Sequence, residues 1–328
     1  MDKKYVIGID FGGTKIALAL CDLHCNLFLE DCIKTDPTEG GGKVVDRMLA
    51  ALHRLIEESG AMMPEIAAIG ICSPGPLSVE EGRIIYIASI GLRDVPIRSV
   101  LENEFNIPVF LENDANSAAY AERFLGAGKS LRENGILAYV TVSTGIGCGI
   151  VIGDNILHGM HDSAGELGHV CIENDGRQCS CGNKGCLETY ASGTALARIA
   201  RERVRSIPEG RDSILLHLAD GDIERIDCLT LQRAAENGDE DALEIWMEMS
   251  SRLGQGLSIV MQMFDPDMIV IGGGVSRAWH LFYHKTIASI KKHSYRILSK
   301  DIHLVPAGLN QKAGVLGAAL IAIRMTLA

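Results

Sequence analysis

Residues 5–21 read Tyr-Val-Ile-Gly-Ile-Asp-Phe-Gly-Gly-Thr-Lys-Ile-Ala-Leu-Ala-Leu-Cys. The apolar run at 5–10 predicts a buried strand, and the apolar run at 16–21 predicts a second strand that returns beside it. Two glycines between them supply the backbone freedom that a tight turn needs. A third apolar stretch at 27–33 completes a β-meander. This part of the sequence therefore indicates a sheet whose first turn is rich in glycine.

The same pattern returns in the second half of the chain. Residues 136–143 predict a strand, residues 144–149 (Thr-Gly-Ile-Gly-Cys-Gly) a glycine turn, and residues 150–152 another strand. Two halves that each open with strand, glycine turn and strand indicate an internal duplication of one α/β domain. The expected domains are an N-terminal one at 1–116, joined by a C-terminal helix at about 309–328, and a C-terminal one at 117–308.

Strands and helices also alternate outside these two units. Further strands are predicted at 66–72, 109–112, 268–271 and 304–306. Helices are predicted at 44–59, 115–125, 243–263 and from 313 onward, with a helical but polar-interrupted segment at 194–237. This alternation is typical of the α/β class.

Composition excludes several classes of protein. A chain of 328 residues suggests two domains of ordinary size. A net charge of -11 argues against a nucleic-acid surface, which needs a basic face. No apolar run reaches the length of a membrane span, and the first one is too short for a signal peptide. Ten cysteines without an export signal indicate reduced thiols, so we expect a cytoplasmic protein.

A compact set of metal-ligand side chains lies between residues 165 and 188. Its members, one imidazole and three thiols within eighteen residues, are His169, Cys179, Cys181 and Cys186. Cys3His is a common tetrahedral set for structural zinc, and the intervening glycines let the backbone fold around an ion. Glu166 and Glu188 flank the set, so a metal would bring two carboxylates to one place. The alternatives are a chance cluster of free thiols and, less in keeping with a reducing compartment, a disulfide knot.

The first glycine turn, at residues 10–15, suits the binding of phosphate. Asp10 ends a buried strand, two glycines follow, and Thr14 adds a hydroxyl donor. Glycines let backbone N–H groups point at phosphate oxygens, and a carboxylate can hold Mg²⁺ through water. The alternative is an ordinary hairpin turn. The turn at 144–147 offers a second phosphate-binding turn, and we expect the two turns to face one another across a cleft.

Two glycine–lysine strings, 39–43 and 126–130, invite comparison with a P-loop. Neither has the Walker spacing, and Arg123 stands where the second string needs its first glycine. We interpret both as loops, the second as the C-cap of the preceding helix. The turn at 145–149 lacks the dinucleotide-binding spacing, which disfavours a Rossmann oxidoreductase.

Residues 112–116 (Glu-Asn-Asp-Ala-Asn) lie where a predicted strand meets a predicted helix. Asp114 is open to two interpretations, as the helix N-cap or as a general base that takes a proton from an attacking hydroxyl. Capping and the helix dipole would both lower its basicity. Phosphoryl transfer needs only a weak base at this position, so we favour the interpretation of Asp114 as general base. Asn113 would then orient the same substrate.

These motifs together resemble the ROK family of sugar kinases, within the actin/hexokinase/Hsp70 superfamily. The matching segments are 10–14, 73–76, 112–116, 143–147, 165–169, 179–188 and 272–275, which span nearly the whole chain. The pattern His…Cys-x-Cys-Gly-x-x-Gly-Cys-Leu-Glu is specific to that family, whereas the glycine turns alone are not. The resemblance implies two duplicated actin-like (RNase H-like) domains with a central cleft and a zinc-bound loop.

The resemblance also implies an ATP- and Mg²⁺-dependent hexose kinase. Asp114 would be the catalytic base on the 6-hydroxyl of the sugar. The sugar would be bound by Gly75, Asn113, Asp114, Glu166, His169 and Glu188. The ATP and its Mg²⁺ would be bound by Asp10, Gly12, Gly13, Thr14, Lys15, Thr144, Gly145, Gly273 and Gly274. Zinc would be held by His169, Cys179, Cys181 and Cys186 in a structural role, with His169 facing the sugar through its other nitrogen.

One segment departs from the family pattern. Glucokinases of the family carry an Asn-Leu-x-Trp-like stretch after the Pro-Gly-Pro loop, and residues 86–94 here lack both the Asn and the Trp. Glucose is our first expectation as substrate, with N-acetylmannosamine and other hexoses or amino sugars as alternatives. An alternative of another class is a sugar-sensing transcriptional regulator without its DNA-binding domain, and a third is a non-catalytic sugar-binding protein. No nucleic-acid or membrane partner is expected, and the family often forms dimers or tetramers.

Overall fold

The computed structural model describes residues 2–207, 213–295 and 301–327, which form two compact units. Unit 1 consists of Met1–Leu131, Gly149–Ala164 and Gly308–Ala328, and unit 2 of Arg132–Cys148 and Gly165–Ala307. The predicted division at residue 116 differs from these units, because residues 117–131 and 149–164 group with unit 1.

The described residues form strands and helices throughout. The strands are β1 (Tyr5–Phe11), β2 (Lys15–Asp22), β3 (Leu27–Lys34), β4 (Ile66–Ser73), β5 (Leu77–Ser78), β6 (Arg83–Ile87), β7 (Leu92–Val95), β8 (Val109–Asn113), β9 (Ile136–Val142), β10 (Ile146–Ile152), β11 (Asn155–Ile156), β12 (Met268–Gly272) and β13 (Leu304–Pro306). The α-helices are α1 (Gly41–Ser59), α2 (Ile97–Phe105), α3 (Asp114–Phe124), α4 (Glu188–Ala191), α5 (Gly193–Arg205), α6 (Ile214–Leu218), α7 (Cys228–Glu236), α8 (Glu240–Phe264), α9 (Trp279–His293) and α10 (Ala313–Leu327).

The two main sheets share one topology. The first has the strand order β3-β2-β1-β4-β8, with β1 antiparallel to β2 and parallel to β4, and β4 parallel to β8. The second has the order β11-β10-β9-β12-β13, with β12 parallel to both β9 and β13. The matching orders agree with the predicted internal duplication. The predicted α/β class is confirmed.

Helix α10 packs closely against the first sheet and against α3. A Cβ built on Gly70 of β4 would overlap the carbonyl oxygen of Ala318, and one built on Gly317 would overlap that of Ser117. Glycine at these positions lets the backbones touch. Both faces of α10 are therefore covered, which explains its nearly continuous apolar sequence.

The structure corrects some boundaries and adds elements. The turn predicted at 144–149 is shorter, because β10 already begins at Ile146. Gly149 lies within β10, and glycine is needed there because a Cβ would lie 2.5 Å from the carbonyl oxygen of Ala115. The sequence did not predict the small sheet β5-β6-β7 or the helices α2 and α9. Part of the segment predicted as helical at 194–237, residues 208–212, lies outside the described residues.

Across the ranges that the structure describes, no helix has both the length and the apolar character needed to cross a bilayer.

Candidate active site and metal centre

Three parallel strands of unit 1 bring polar side chains to one edge of the sheet. The register pairs Asp10 of β1 with Cys72 of β4, and Cys72 with Glu112 of β8. Because carboxyl ends of parallel strands meet at the same edge, Asp10 and the start of α3 at Asp114 are neighbours in the fold. The sequence-predicted residues Asp10, Asn113 and Asp114 therefore lie at one edge of unit 1.

Asp10 is an unusual carboxylate. Its Oδ1 lies 3.7 Å from the Sγ of the buried Cys72, and a Cβ on Gly314 would lie 2.7 Å from its Oδ2. Burial and the nearby Asp114 carboxylate raise the pKa of Asp10 to about 6. Two neighbouring carboxylates of like charge favour a cation beside them, so the side chains present are suited to Mg²⁺.

The N-cap of α3 is Asn113, and not Asp114. The Oδ1 of Asn113 accepts hydrogen bonds from Ala115 N (2.9 Å) and Asn116 N (3.2 Å). Asp114 is the first helical residue, and its Oδ1 accepts from Ala115 N at 2.8 Å. Asn113 thus takes the capping role that the sequence left open for Asp114. Its amide nitrogen faces Gly75, where a Cβ would lie 3.9 Å away.

The first glycine turn is braced by two residues that sequence reasoning missed. Gly12 N donates to Lys15 O at 3.1 Å, which closes the turn. The buried Thr35, just after β3, donates its hydroxyl to Gly12 O at 2.7 Å. A Cβ on Gly13 would overlap the Oγ of Ser89, so this position has room only for glycine unless Ser89 moves. No signal in the sequence singled out Thr35. Ser89 lies in the segment that departs from the family pattern.

The second glycine turn, in unit 2, is held by Glu188. Ser143 N donates to Gly145 O at 2.9 Å across the turn. The Oε2 of Glu188 accepts from Ile146 N at 2.8 Å, and a Cβ on Gly145 would overlap it. A residue predicted to bind sugar therefore touches the backbone of a turn predicted to bind phosphate, while Thr144 is exposed beside them.

Further glycines surround the same turn. Gly193 N, at the start of α5, donates to Ser143 O at 2.7 Å. Gly273 has a φ of +83°, and a Cβ on it would overlap Val142 O, so this backbone requires glycine. A Cβ on Gly274 would lie 3.9 Å from Ser143 Oγ. Gly193 was not among the predicted residues, although Ser192 before it is a recognisable helix N-cap.

The structure brings the four predicted metal ligands together. The ligand atoms of His169, Cys179, Cys181 and Cys186 all lie within 4.8 Å of one another. The Sγ of Cys179 is 3.6 Å from His169 Nδ1, and the Sγ atoms of Cys181 and Cys186 are 3.7 Å apart. A tetrahedral zinc with Zn–S bonds of about 2.3 Å and a Zn–N bond of about 2.0–2.1 Å separates its ligand atoms by roughly 3.5–3.8 Å. The donor set and its spacing both suit zinc.

The two nitrogens of His169 face different groups. Nδ1 faces the thiols, and Nε2 lies 3.9 Å from Oε2 of Glu166. The loop is tied to α8, because Gln255 donates to Ile172 O at 2.9 Å. The imidazole therefore has one nitrogen for a metal and another directed to the predicted sugar-binding carboxylate.

Comparisons with known proteins agree with this arrangement. The model of the ROK family matches residues 6–325. The chain belongs to the ROK family. A glucokinase of Streptomyces coelicolor is 34% identical over 320 residues, 96% of each chain. The structure of a ROK-family glucokinase from Streptomyces griseus, in complex with glucose and AMPPNP, has a TM-score of 0.82 and 32% identity over 98% of this chain and 99% of that one.

Regulators of the same family are also similar. The xylose repressor of Bacillus subtilis is 28% identical over 319 residues, which cover 97% of this chain and 77% of the repressor. The glucokinases match over almost their full length. The prediction of a ROK-family sugar kinase with the corresponding α/β fold is confirmed by these relatives.

Proposed function

We propose that this ROK-family protein transfers the γ-phosphoryl group of ATP to the 6-hydroxyl of a hexose, with glucose as the preferred acceptor. The observation that carries the proposal is the position of Asp114. It starts α3 beside Asp10, and the N-cap of that helix is Asn113, so Asp114 is not required as the cap. The glucokinase relatives and the glucose complex of one of them support the choice of substrate.

In unit 1, Asp114 would accept the proton of the attacking hydroxyl. Phosphoryl transfer has a loose transition state, so positioning the hydroxyl matters more than basicity. The amide of Asn113 and the backbone of Gly75 would orient the same sugar. Asp10 would hold Mg²⁺, which supplies charge neutralisation at the phosphates, and the N–H groups of residues 13–15 would bind phosphate oxygens.

In unit 2, Glu166 and Glu188 would accept hydrogen bonds from sugar hydroxyls, and His169 would donate one through Nε2. Thr144 and Gly145 would bind phosphate oxygens, with Gly273 and Gly274 beside the adenosine. The hydrogen bond from Ile146 N to Glu188 would couple sugar binding to phosphate binding, because movement of the Glu188 carboxylate would displace the second glycine turn.

The Cys3His cluster would hold a structural zinc ion. All four positions are filled by protein ligands, which leaves no open position for a reacting water. The metal would fix His169 and the start of α4, where Glu188 lies two residues after Cys186. We also propose a reducing compartment such as the cytoplasm, because the thiols that would bind zinc must stay reduced.

Zinc dependence can be tested with a matched pair of variants. Cys181→Ser should lose zinc, measured by elemental analysis, and with it sugar affinity, measured by calorimetry. Cys171→Ser is the control, since Cys171 is an exposed thiol in the same loop but outside the four ligands. A zinc-free Cys181→Ser protein with wild-type sugar affinity would contradict the structural role of the metal.

The main experiment is a panel of hexoses and amino sugars with ATP and Mg²⁺, in which ADP release is measured. We expect turnover with glucose, and Asp114→Asn should lower kcat by roughly 10²–10⁴-fold with little change in sugar binding. Asp265→Asn is the control, because Asp265 is an exposed αL residue after α8, where Asn is equally suited. Near-wild-type turnover of Asp114→Asn would refute its role as base.

The same panel separates the alternatives. Preference for N-acetylmannosamine would reassign the substrate within the family, and the departure of residues 86–94 from the glucokinase pattern is the reason to include it. Sugar binding without turnover on any member would favour a sensor, in keeping with the similarity to xylose repressors. The expected dimer or tetramer stays a prediction.

A further inference from the structure

A cavity of about 290 Å³ lies within unit 1, next to β8. Most of its wall is apolar, from residues such as Val79, Phe110, Ile156 and Ile321. Among the polar side chains that also line it are Glu112 and His158, which the proposed reaction does not use. The cavity is therefore a route by which a small molecule can reach this pair.

Glu112 lies two residues before Asp114 and ties the end of β8 to the start of α3. Its Oε1 accepts hydrogen bonds from Asn113 N (2.8 Å) and from Asn116 Nδ2 (2.9 Å). The residue is 3% exposed, so its carboxylate depends on protein donors. This single side chain therefore fixes the backbone and the helix turn on either side of Asp114.

His158 is the partner of the other oxygen of Glu112. Its Nε2 lies 2.7 Å from Glu112 Oε2, and its own carbonyl is held by Ala164 N at 2.9 Å. Because a carboxylate oxygen only accepts, Nε2 is the donor of this hydrogen bond, and the bond raises the pKa of His158 above its ordinary value. Without the imidazole, Oε2 would be a buried acceptor without a donor, and the carboxylate would turn toward water in the cavity.

We propose that His158 is a positioning residue for the phosphoryl transfer. It holds Glu112, and Glu112 holds the junction that presents Asp114 to the substrate. The inference rests on the proposed role of Asp114. It predicts that removal of the imidazole impairs turnover more than it impairs the binding of sugar or ATP, because misplacing a reacting group acts on the transition state.

The test is His158→Ala with and without added imidazole. We expect kcat to fall by about 10–100-fold, KM values for sugar and ATP to stay within about two-fold, and millimolar imidazole to restore part of kcat by entering the cavity. His161→Ala is the control, since His161 is exposed on the same loop and should keep wild-type kcat with no response to imidazole. A folded His158→Ala protein with wild-type kcat would overturn the inference.

A second pair of variants covers the case in which His158→Ala does not fold. His158→Gln can still donate to Glu112, whereas the shorter His158→Asn cannot reach it. We expect kcat of the Gln variant to exceed that of the Asn variant at least several-fold, and equal values would refute the positioning role. Asp114→Asn is measured alongside. If the wild-type protein phosphorylates no sugar of the panel, the proposed function fails, and if Asp114→Asn keeps near-wild-type turnover, the role of Asp114 as base fails. If kcat of Asp114→Asn falls as expected and all His158 variants are normal, only this inference fails.

Discussion

Glu122 offers the sharpest test of how the structure of unit 1 is held together. This fully buried residue of α3 accepts three backbone hydrogen bonds through its carboxylate. Its Oε2 accepts from Ala127 N (2.8 Å) and Gly308 N (3.0 Å), and its Oε1 from Leu309 N (2.7 Å). The segments at residue 127 and at residues 308–309, which are distant in sequence, are thereby hydrogen-bonded to the same side chain.

The substitution Glu122→Gln keeps the shape but replaces one of the two acceptor oxygens with an NH2 donor. An amide oxygen can replace Oε2, but the NH2 group then faces Leu309 N, so that one backbone donor loses its acceptor. A lost bond to a charged group costs about 1.5–3 kcal/mol. The two remaining bonds lose roughly half of their strength with the charge. We therefore expect the free energy of unfolding to fall by about 3 kcal/mol, and by more for Glu122→Ala, which leaves three donors unpaired.

The assay is urea unfolding followed by circular dichroism, together with hydrogen exchange of the amides of residues 127, 308 and 309. Faster exchange at all three amides is expected, because local opening no longer breaks bonds to a carboxylate. Glu58→Gln is the control, since Glu58 is exposed on α1. A loss below about 1 kcal/mol for Glu122→Gln, or unchanged exchange at these amides, would refute the reasoning.

Two further predictions concern packing and pH. Gly317→Ala should lower the free energy of unfolding in urea by about 3 kcal/mol, because its Cβ would overlap the backbone of Ser117. The control Gly42→Ala, on the open first turn of α1, should raise it by roughly 0.4–1 kcal/mol. A Gly317→Ala variant more stable than the Gly42→Ala variant would contradict the packing of α10. The pKa of His158 is raised by the hydrogen bond to Glu112 and by the charges of Glu112 and Asp162, so its contribution to stability is fully present below pH 6.5 and is lost as the pH rises through the raised value. The stability difference between wild type and His158→Gln should therefore shrink with rising pH, and a difference that grows above pH 7 would be inconsistent with this pair.

Much of the fold was predictable because the hydrophobic pattern reports burial directly. The meander of β1, β2 and β3 and the strands β4, β8 and β12 follow from short runs of apolar residues, and the helix α8 follows from an amphipathic pattern of period 3.6. The small sheet β5-β6-β7 was not predicted, although its strand β6 is as long as β8 and β12. The start of β10 was missed because Gly147 and Gly149 read as a turn, although close packing of backbone against Ala115 is what requires glycine at 149.

The sequence by itself determined the residue types of each motif: the first glycine turn and the Asn-Asp pair at the start of α3 in unit 1, and the second glycine turn and the Cys3His set in unit 2. Only the tertiary structure decided how the roles divide. It gave the helix cap to Asn113, placed Glu188 against the second turn, and paired Glu112 with His158 from a segment 46 residues away. The physical reason is that side-chain hydrogen bonds between distant segments depend on how the sheet and its loops pack, and no local pattern of residues encodes that packing.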